Sequence, residues 1–175
     1  MPPTPNSLSL NDLQYAFYPI QATDSKTFTG SNTTVAVPIF NLVGSIEVYR
    51  IWGVVTTQIG TNHTAAYLRL NDQTAQQAIT LATGTTLSAK KAGSLIVKKG
   101  LATAAVTLID NATGVITEPT TLETMFFSPF QATQKTGATT NIEYVYTTTD
   151  TPTTGAIQFF IQYRLLAPGS VVTPL

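Results

Sequence analysis

The stretch GAIQFFIQYRLLAP (155–168) constrains the fold more than any other part of the chain. Counted by twos, its residues divide into one set with Ile157, Phe159, Ile161, Tyr163 and Leu165 and another with Gln158, Phe160, Gln162, Arg164 and Leu166. A period of two is typical of a β-strand, because successive side chains point to opposite faces. Chain ends fray unless something holds them. We therefore expect this strand to lie inside a sheet, with Phe159 facing the core and Phe160 covered by a neighbouring subunit or an N-terminal arm.

Strand-like runs also fill the chain from Thr34 onward, separated by turns rich in Gly, Asn, Asp or Pro. These runs cover residues 34–40, 44–60, 64–72, 77–84, 93–100, 104–110, 115–130 and 141–149. Short strands at close spacing, with no strong amphipathic helix among them, predict an all-β fold. We expect a jelly-roll-like β-sandwich, with an immunoglobulin-like sandwich as the alternative. Pro38 predicts an edge strand or a bulge, and Gly53 predicts a bulge or kink.

The first 33 residues differ from the rest, since they hold four of the ten prolines and little regular alternation. They predict an extended N-terminal arm over residues 1–33, followed by a sandwich domain over residues 34–175. Aromatic side chains are enriched at the centres of protein interfaces. The candidate contacts with a partner are therefore Tyr15, Phe17 and Tyr18 in the arm, together with Phe160 in the strand described above.

The charge content is low, because only 10% of the residues are Asp, Glu, Lys or Arg, against about 25% in an average domain. Nine positive and nine negative side chains cancel, and the chain contains 33 threonines. Zero net charge promotes association, and threonine supplies a neutral polar surface that favours strands. Since there is no cysteine, disulfides and thiolate chemistry are excluded. The composition indicates a surface that is made to contact other proteins.

The residues that could carry catalysis or bind a metal are sparse. His63 is the only histidine, and we interpret it as a loop residue, since no G-x-S-x-G elbow accompanies it. The acidic residues show no pairing of the kind that glycosidases need. The turns at 71–74 and 109–114 lack the spacing of a calcium loop. We predict that the chain is not an enzyme and has no catalytic residue, metal or cofactor.

Two further features can be interpreted either as structural or as functional. Lys90, Lys91, Lys98 and Lys99 could meet phosphates, but their positions at the two ends of a short strand favour protection of a sheet edge, so nucleic acid is not the expected partner. Trp52, with Tyr49, could form a sugar-stacking platform, although a single tryptophan within a strand favours a core position.

The Thr/Ala/Val-rich strands, the proline-rich arm, the absence of cysteine and the terminal GAIQFFIQYRLLAPGS together resemble the small auxiliary capsid proteins of tailed bacteriophages, known as decoration or cement proteins. The resemblance covers most of the chain and is one of composition and architecture. It implies a β-sandwich or jelly roll, often trimeric, that sits where major capsid proteins meet and clamps them against internal DNA pressure.

The resulting expectation is a structural virion protein, made in the host cytoplasm, whose partners are the major capsid protein and its own copies in a homotrimer. The alternative is a carbohydrate-binding head or tail-fibre module, and an enzyme ranks third. No apolar run approaches the roughly 18 residues of a membrane span, and no secretory signal is evident, so a membrane is not an expected partner.

Overall fold

A computed structural model describes residues 19–30, 33–61, 63–83, 87–98, 107–109, 129–149 and 154–175. The strands in these ranges are β1 (Ile20–Ala22), β2 (Lys26–Thr27), β3 (Thr34–Val43), β4 (Ser45–Thr57), β5 (His63–Asn71), β6 (Gln76–Ala78), β7 (Leu95–Val97), β8 (Thr107–Ile109), β9 (Phe130–Thr133), β10 (Thr140–Thr148), β11 (Ala156–Leu165) and β12 (Val171–Pro174). None of the described residues forms a helix long and apolar enough to cross a membrane.

The strands form two antiparallel sheets. In sheet 1 the order is β1-β11-β4-β7-β8, with β2 also paired to β11 and β9 also paired to β4. In sheet 2 the order is β12-β3-β10-β5-β6. Strands β3 to β5 and β9 to β12 pass alternately from one sheet to the other. The expected β-sandwich is therefore confirmed.

The alternation in β11 is confirmed at four inward positions, because Ile157, Phe159, Ile161 and Tyr163 are all buried. Leu165, which the alternation places on the same side, is 48% exposed. The strand lies inside sheet 1, with β4 along one edge and β1 and β2 along the other. It is not the last strand, since β12 follows it and pairs with β3, which ties the C-terminus into sheet 2.

Residues 19–30, which the sequence analysis placed in the arm, contribute to the sandwich. They contain β1 and β2, both paired with β11, and the side chain of Phe28 lies in the core with 5% exposure. Residues 1–18 lie outside the described part of the chain. Residues 19–30 of the predicted arm are thus integral to the fold.

Two predicted irregularities have different outcomes. Pro38 is next to a bulge, because Ile142 pairs with Phe40 and Glu143 pairs with Pro38, which leaves Ile39 without an opposing residue in β10. The prediction of a bulge at Gly53 is wrong, since the register with β11 is regular there. A Cβ added to Gly53 would lie 2.7 Å from Cγ2 of Ile157 and 3.0 Å from Cε1 of Phe159. Gly53 therefore leaves room for side chains of the neighbouring strand β11.

The core fills the space between the sheets with aliphatic and aromatic side chains. Its largest fully buried members are Tyr144, Tyr146, Phe40 and Phe159. The ring of Phe159 in sheet 1 meets that of Tyr144 in sheet 2 at a centroid distance of 5.0 Å. Each such buried side chain contributes roughly 1.5–3 kcal/mol relative to an exposed one, so this contact joins the two sheets.

Candidate interaction surface

The outer face of sheet 1 carries a row of apolar side chains across four strands. In the strand register, Phe160 is opposite Ala22 on one side and Trp52 on the other, and Trp52 is opposite Val97. Residues directly opposite each other in an antiparallel pair share a face. The row, called here the outer apolar row, consists of Ala22, Phe160, Trp52 and Val97 and contains no charged side chain. Val97, at one end of the row, is only 5% exposed, so the accessible part of the row is Ala22, Phe160 and Trp52.

The two large side chains of this row stack on each other. The ring centroids of Trp52 and Phe160 are 5.2 Å apart, and the ring planes differ by only 7°. Both residues are half-buried. An aromatic pair of this kind contributes about 0.5–1.5 kcal/mol beyond the area that it buries, which keeps the two rings in one orientation on the surface.

The interpretation of Trp52 as a core residue is wrong, and a bulge explains why. Ile46 and Val48 are buried, and counting onward by twos would place Trp52 on the inner face as well. In the register with β11, however, Tyr163 pairs with Val48 and Gln162 pairs with Arg50, so Tyr49 is an extra residue. One extra residue sends every following side chain to the other face.

Of the four candidate partner contacts, the structure describes one. Phe160 lies in the outer apolar row, half-buried against Trp52. Tyr15, Phe17 and Tyr18 lie outside the described residues, so their expected role stays a prediction. Sequence analysis missed Ala22, whose place in the row depends on the pairing of β1 with β11.

Each outer face carries an ion pair. Arg164 Nη2 lies 2.6 Å from Glu47 Oε2, and the Tyr49 hydroxyl donates a hydrogen bond of 2.9 Å to the same oxygen. On the outer face of sheet 2, Arg69 Nε donates to Glu143 at 2.7 Å. Arg50 is a further exposed charged residue on the outer face of sheet 1, two residues before Trp52.

His63 is not a loop residue. It begins β5, has no exposed surface and shares a hydrogen bond of 2.8 Å between its Nε2 and the Tyr144 hydroxyl. The rings of Tyr146 and Phe28 pack against it at centroid distances of 4.4 and 4.7 Å. Burial lowers the pKa of His63 to about 4, so the imidazole is neutral at pH 7.

The lysine cluster does not form a single exposed patch. Lys98 is only 4% exposed, and its Nζ lies 5.2 Å from the ring centroid of Phe130. Burial lowers the pKa of its amine. The edge-protection interpretation is wrong for Lys98, because β7 pairs with β4 on one side and β8 on the other. Lys99 lies outside the described residues.

A cavity of about 300 Å³ lies on the side of the sandwich where β6 and β9 approach each other. Its lining is Leu70, Asp72, Ala75, Gln77, Gln131 and Thr133. Asp72 Oδ1 accepts hydrogen bonds from the backbone N–H groups of Thr74 and Ala75 at 2.9 and 2.5 Å. Both bonds lower the pKa of Asp72, and the bond from Ala75 has the larger effect. The carboxylate therefore holds a turn, as expected for residues 71–74.

Comparisons with known proteins found no relative of this chain: no family model matches it, and neither a curated protein nor a solved structure is significantly similar to it.

Proposed function

We propose that this chain is a structural subunit of a tailed-phage virion that binds and stabilises the capsid shell as a decoration protein. The observation that carries the proposal is the outer apolar row. It places the Trp52–Phe160 stack outside the core, on a face whose Glu47–Arg164 ion pair is internally neutralised. Such a face binds another protein by burying apolar area, without desolvating an unpaired charge.

The second support is the overall neutrality of the chain, with nine positive and nine negative side chains. Copies that carry no net charge do not repel one another when they crowd on a shell. A stable protein interface buries on the order of 1,000 Å² or more, which a broad sheet face can supply. The absence of enzymatic activity stays a prediction.

The test is an inventory of purified virions by quantitative mass spectrometry, followed by cryo-electron microscopy of the shell. The chain should occur in a fixed ratio to the major capsid protein, with sheet 1 facing the shell. The Phe160→Ser variant should bind stripped shells at least tenfold more weakly. Tyr67, half-buried on sheet 2, provides the matched control, and Tyr67→Ser should bind normally. Equal binding by wild type and both variants would count against the proposed face.

A carbohydrate-binding module is the second candidate, and the cavity near β6 and β9 favours it. The volume of about 300 Å³ and the lining amides, hydroxyl and carboxylate suit one sugar residue. Trp52 is not among the described lining residues, so the stacking platform and the cavity are separate. A glycan array should show binding that Gln131→Ala removes. Stable shell binding with no glycan signal would decide for the structural role.

A further inference from the structure

The connection between β11 and β12 exposes an uncharged segment. Leu165, Leu166, Ala167, Pro168 and Gly169 are all exposed, and none carries a polar side chain. Leu165 is 48% and Leu166 41% exposed. Exposed loops usually consist of polar residues, and exposed apolar groups in contact with one another are typical of interaction sites.

Two exposed valines lie just beyond this connection, one in β12 and one in β3, with which β12 pairs. Val171 in β12 is directly opposite Val43 in β3, and they are 48% and 41% exposed. We call Val43, Leu165, Leu166 and Val171 the apolar tip. It contains four of the seven large hydrophobic side chains that are exposed in the described part of the chain.

The backbone holds the apolar tip in place. The N–H of Leu166 donates to the carbonyl of Ser45 at 2.9 Å, and the N–H of Ser170 donates to that of Ala167 at 3.2 Å. The Ser170 hydroxyl accepts from the N–H of Ser45 at 3.0 Å. Gly44 has φ +75° and no room for a side chain, since an added Cβ would lie 2.4 Å from Ser170 Oγ. A surface that is already ordered loses little conformational entropy on binding.

The charge of the surroundings favours a second copy of the chain as the occupant. Arg164, the charged residue next to Leu165, is already paired with Glu47 at 2.6 Å. An apolar surface without net charge is complementary to itself, and copies of a neutral chain do not repel one another. An anionic lipid or a nucleic acid would instead need unpaired cations.

The outer edge of β12 lies beside the apolar tip. This edge favours a closed oligomer over an open fibre in which each copy adds a strand to the sheet of the next. The N–H of Leu175 donates to the carbonyl of Ile39. Hydrogen bonds alternate along an antiparallel strand. The backbone N–H and C=O groups of Thr173 and Val171 therefore also point toward β3, and those of Val172, with the C=O of Pro174, point away from it. Proline has no N–H, so this edge accepts an added strand poorly. Copies therefore meet through side chains rather than by extending the sheet.

We propose that the apolar tip is the contact surface between copies of this chain in its homo-oligomer. The inference goes beyond the proposed function and concerns self-association, which the resemblance to decoration proteins implies. Shell binding is assigned to a different surface, the outer apolar row.

The experiment is the solution mass of the full chain and its variants by sedimentation equilibrium and light scattering. The wild type should have a mass that is a multiple of 18.7 kDa. Leu166→Asp should raise the dissociation constant at least tenfold and populate the 18.7 kDa species. The matched control is Leu81→Asp, since Leu81 is 49% exposed and follows β6 at the opposite edge of sheet 2. It should retain the mass of the wild type.

Several outcomes would overturn the inference: a monomeric wild type, an unchanged mass in Leu166→Asp, or equal weakening by Leu166→Asp and Leu81→Asp. Binding of monomeric wild type to phosphatidylcholine vesicles, lost in Leu166→Asp, would identify a lipid surface instead. Leu165→Ser is a second, milder variant, and circular dichroism of both should match the wild type. A tip-dependent oligomer that is absent from virions would refute shell binding and leave the tip assignment intact.

Discussion

One aromatic cluster lies between the two sheets, and a second lies on the outside of sheet 1. The inner cluster consists of Phe28, His63, Tyr144 and Tyr146, and both of its tyrosine hydroxyls have partners: the Tyr144 hydroxyl meets His63 Nε2 at 2.8 Å, and the Tyr146 hydroxyl donates to the carbonyl of Thr29 at 2.7 Å. The outer cluster is the Trp52–Phe160 stack, half-buried and without such bonds within the pair.

The difference between the clusters separates stability from recognition. Fully buried rings have already gained the free energy of leaving water, so changing them affects folding. Half-buried rings on a flat face retain apolar area that only another molecule can cover. We therefore expect inner variants to change the free energy of unfolding and outer variants to change binding.

The largest expected effect is that of Phe28→Ala. Phe28 is 5% exposed and touches His63 and Tyr146 at centroid distances of 4.7 and 5.0 Å, so its removal should lower the free energy of unfolding by about 3–5 kcal/mol. Urea denaturation measures this. Ile20→Ala in the same segment, at a site that is 45% exposed, should cost far less. A loss below about 1 kcal/mol for Phe28→Ala would show that residues 19–30 act as a detached arm.

The next effect concerns acid. The pKa of His63 is lowered by burial from 6.5 to about 4, so between these values the unfolded chain binds a proton that the folded chain does not. The free energy of unfolding should therefore fall as the pH falls from 7 to 4, by on the order of 3 kcal/mol from this group. Thermal unfolding between pH 4 and 7 tests it. His63→Phe should flatten the slope in this window, and an unchanged slope would contradict the assignment.

A smaller effect is expected at Gly53, which faces inward beside the outward-facing Trp52. Gly53→Ala should lower the free energy of unfolding by about 1–3 kcal/mol, because the new methyl would lie 2.7 Å from Cγ2 of Ile157. The denaturation midpoint measures it. A midpoint equal to that of the wild type would mean that Ile157 and Phe159 move aside freely.

The smallest effect is expected within the outer pair. A double-mutant cycle of Trp52→Ala and Phe160→Ala should give a coupling free energy of about 0.5–1.5 kcal/mol, measured by urea denaturation of the four proteins. Coupling near zero would show that the stack does not persist in solution. A coupling as large as the loss in Phe28→Ala would erase the distinction between the inner and outer clusters.

Much of the fold could be predicted from local patterns. The period of two in 141–149 and 155–168 locates β10 and β11, and Pro38 marks a real bulge, because a residue without N–H disturbs regular pairing. The candidate surface was less accessible to sequence analysis. Phe160 was assigned outward by alternation within one strand, but its neighbours Ala22 and Trp52 come from strands distant in sequence.

The amino-acid sequence by itself determined that this chain forms strands, that it has no net charge, and that cysteine chemistry is excluded, because these follow from residue types and short-range periodicity. Only the tertiary structure decided that Trp52 faces outward and that His63 is buried. The extra residue at Tyr49 turns Trp52 away from the core, and the approach of β5 to β10 buries His63 against Tyr144. Both depend on pairing between distant strands, which no local pattern contains.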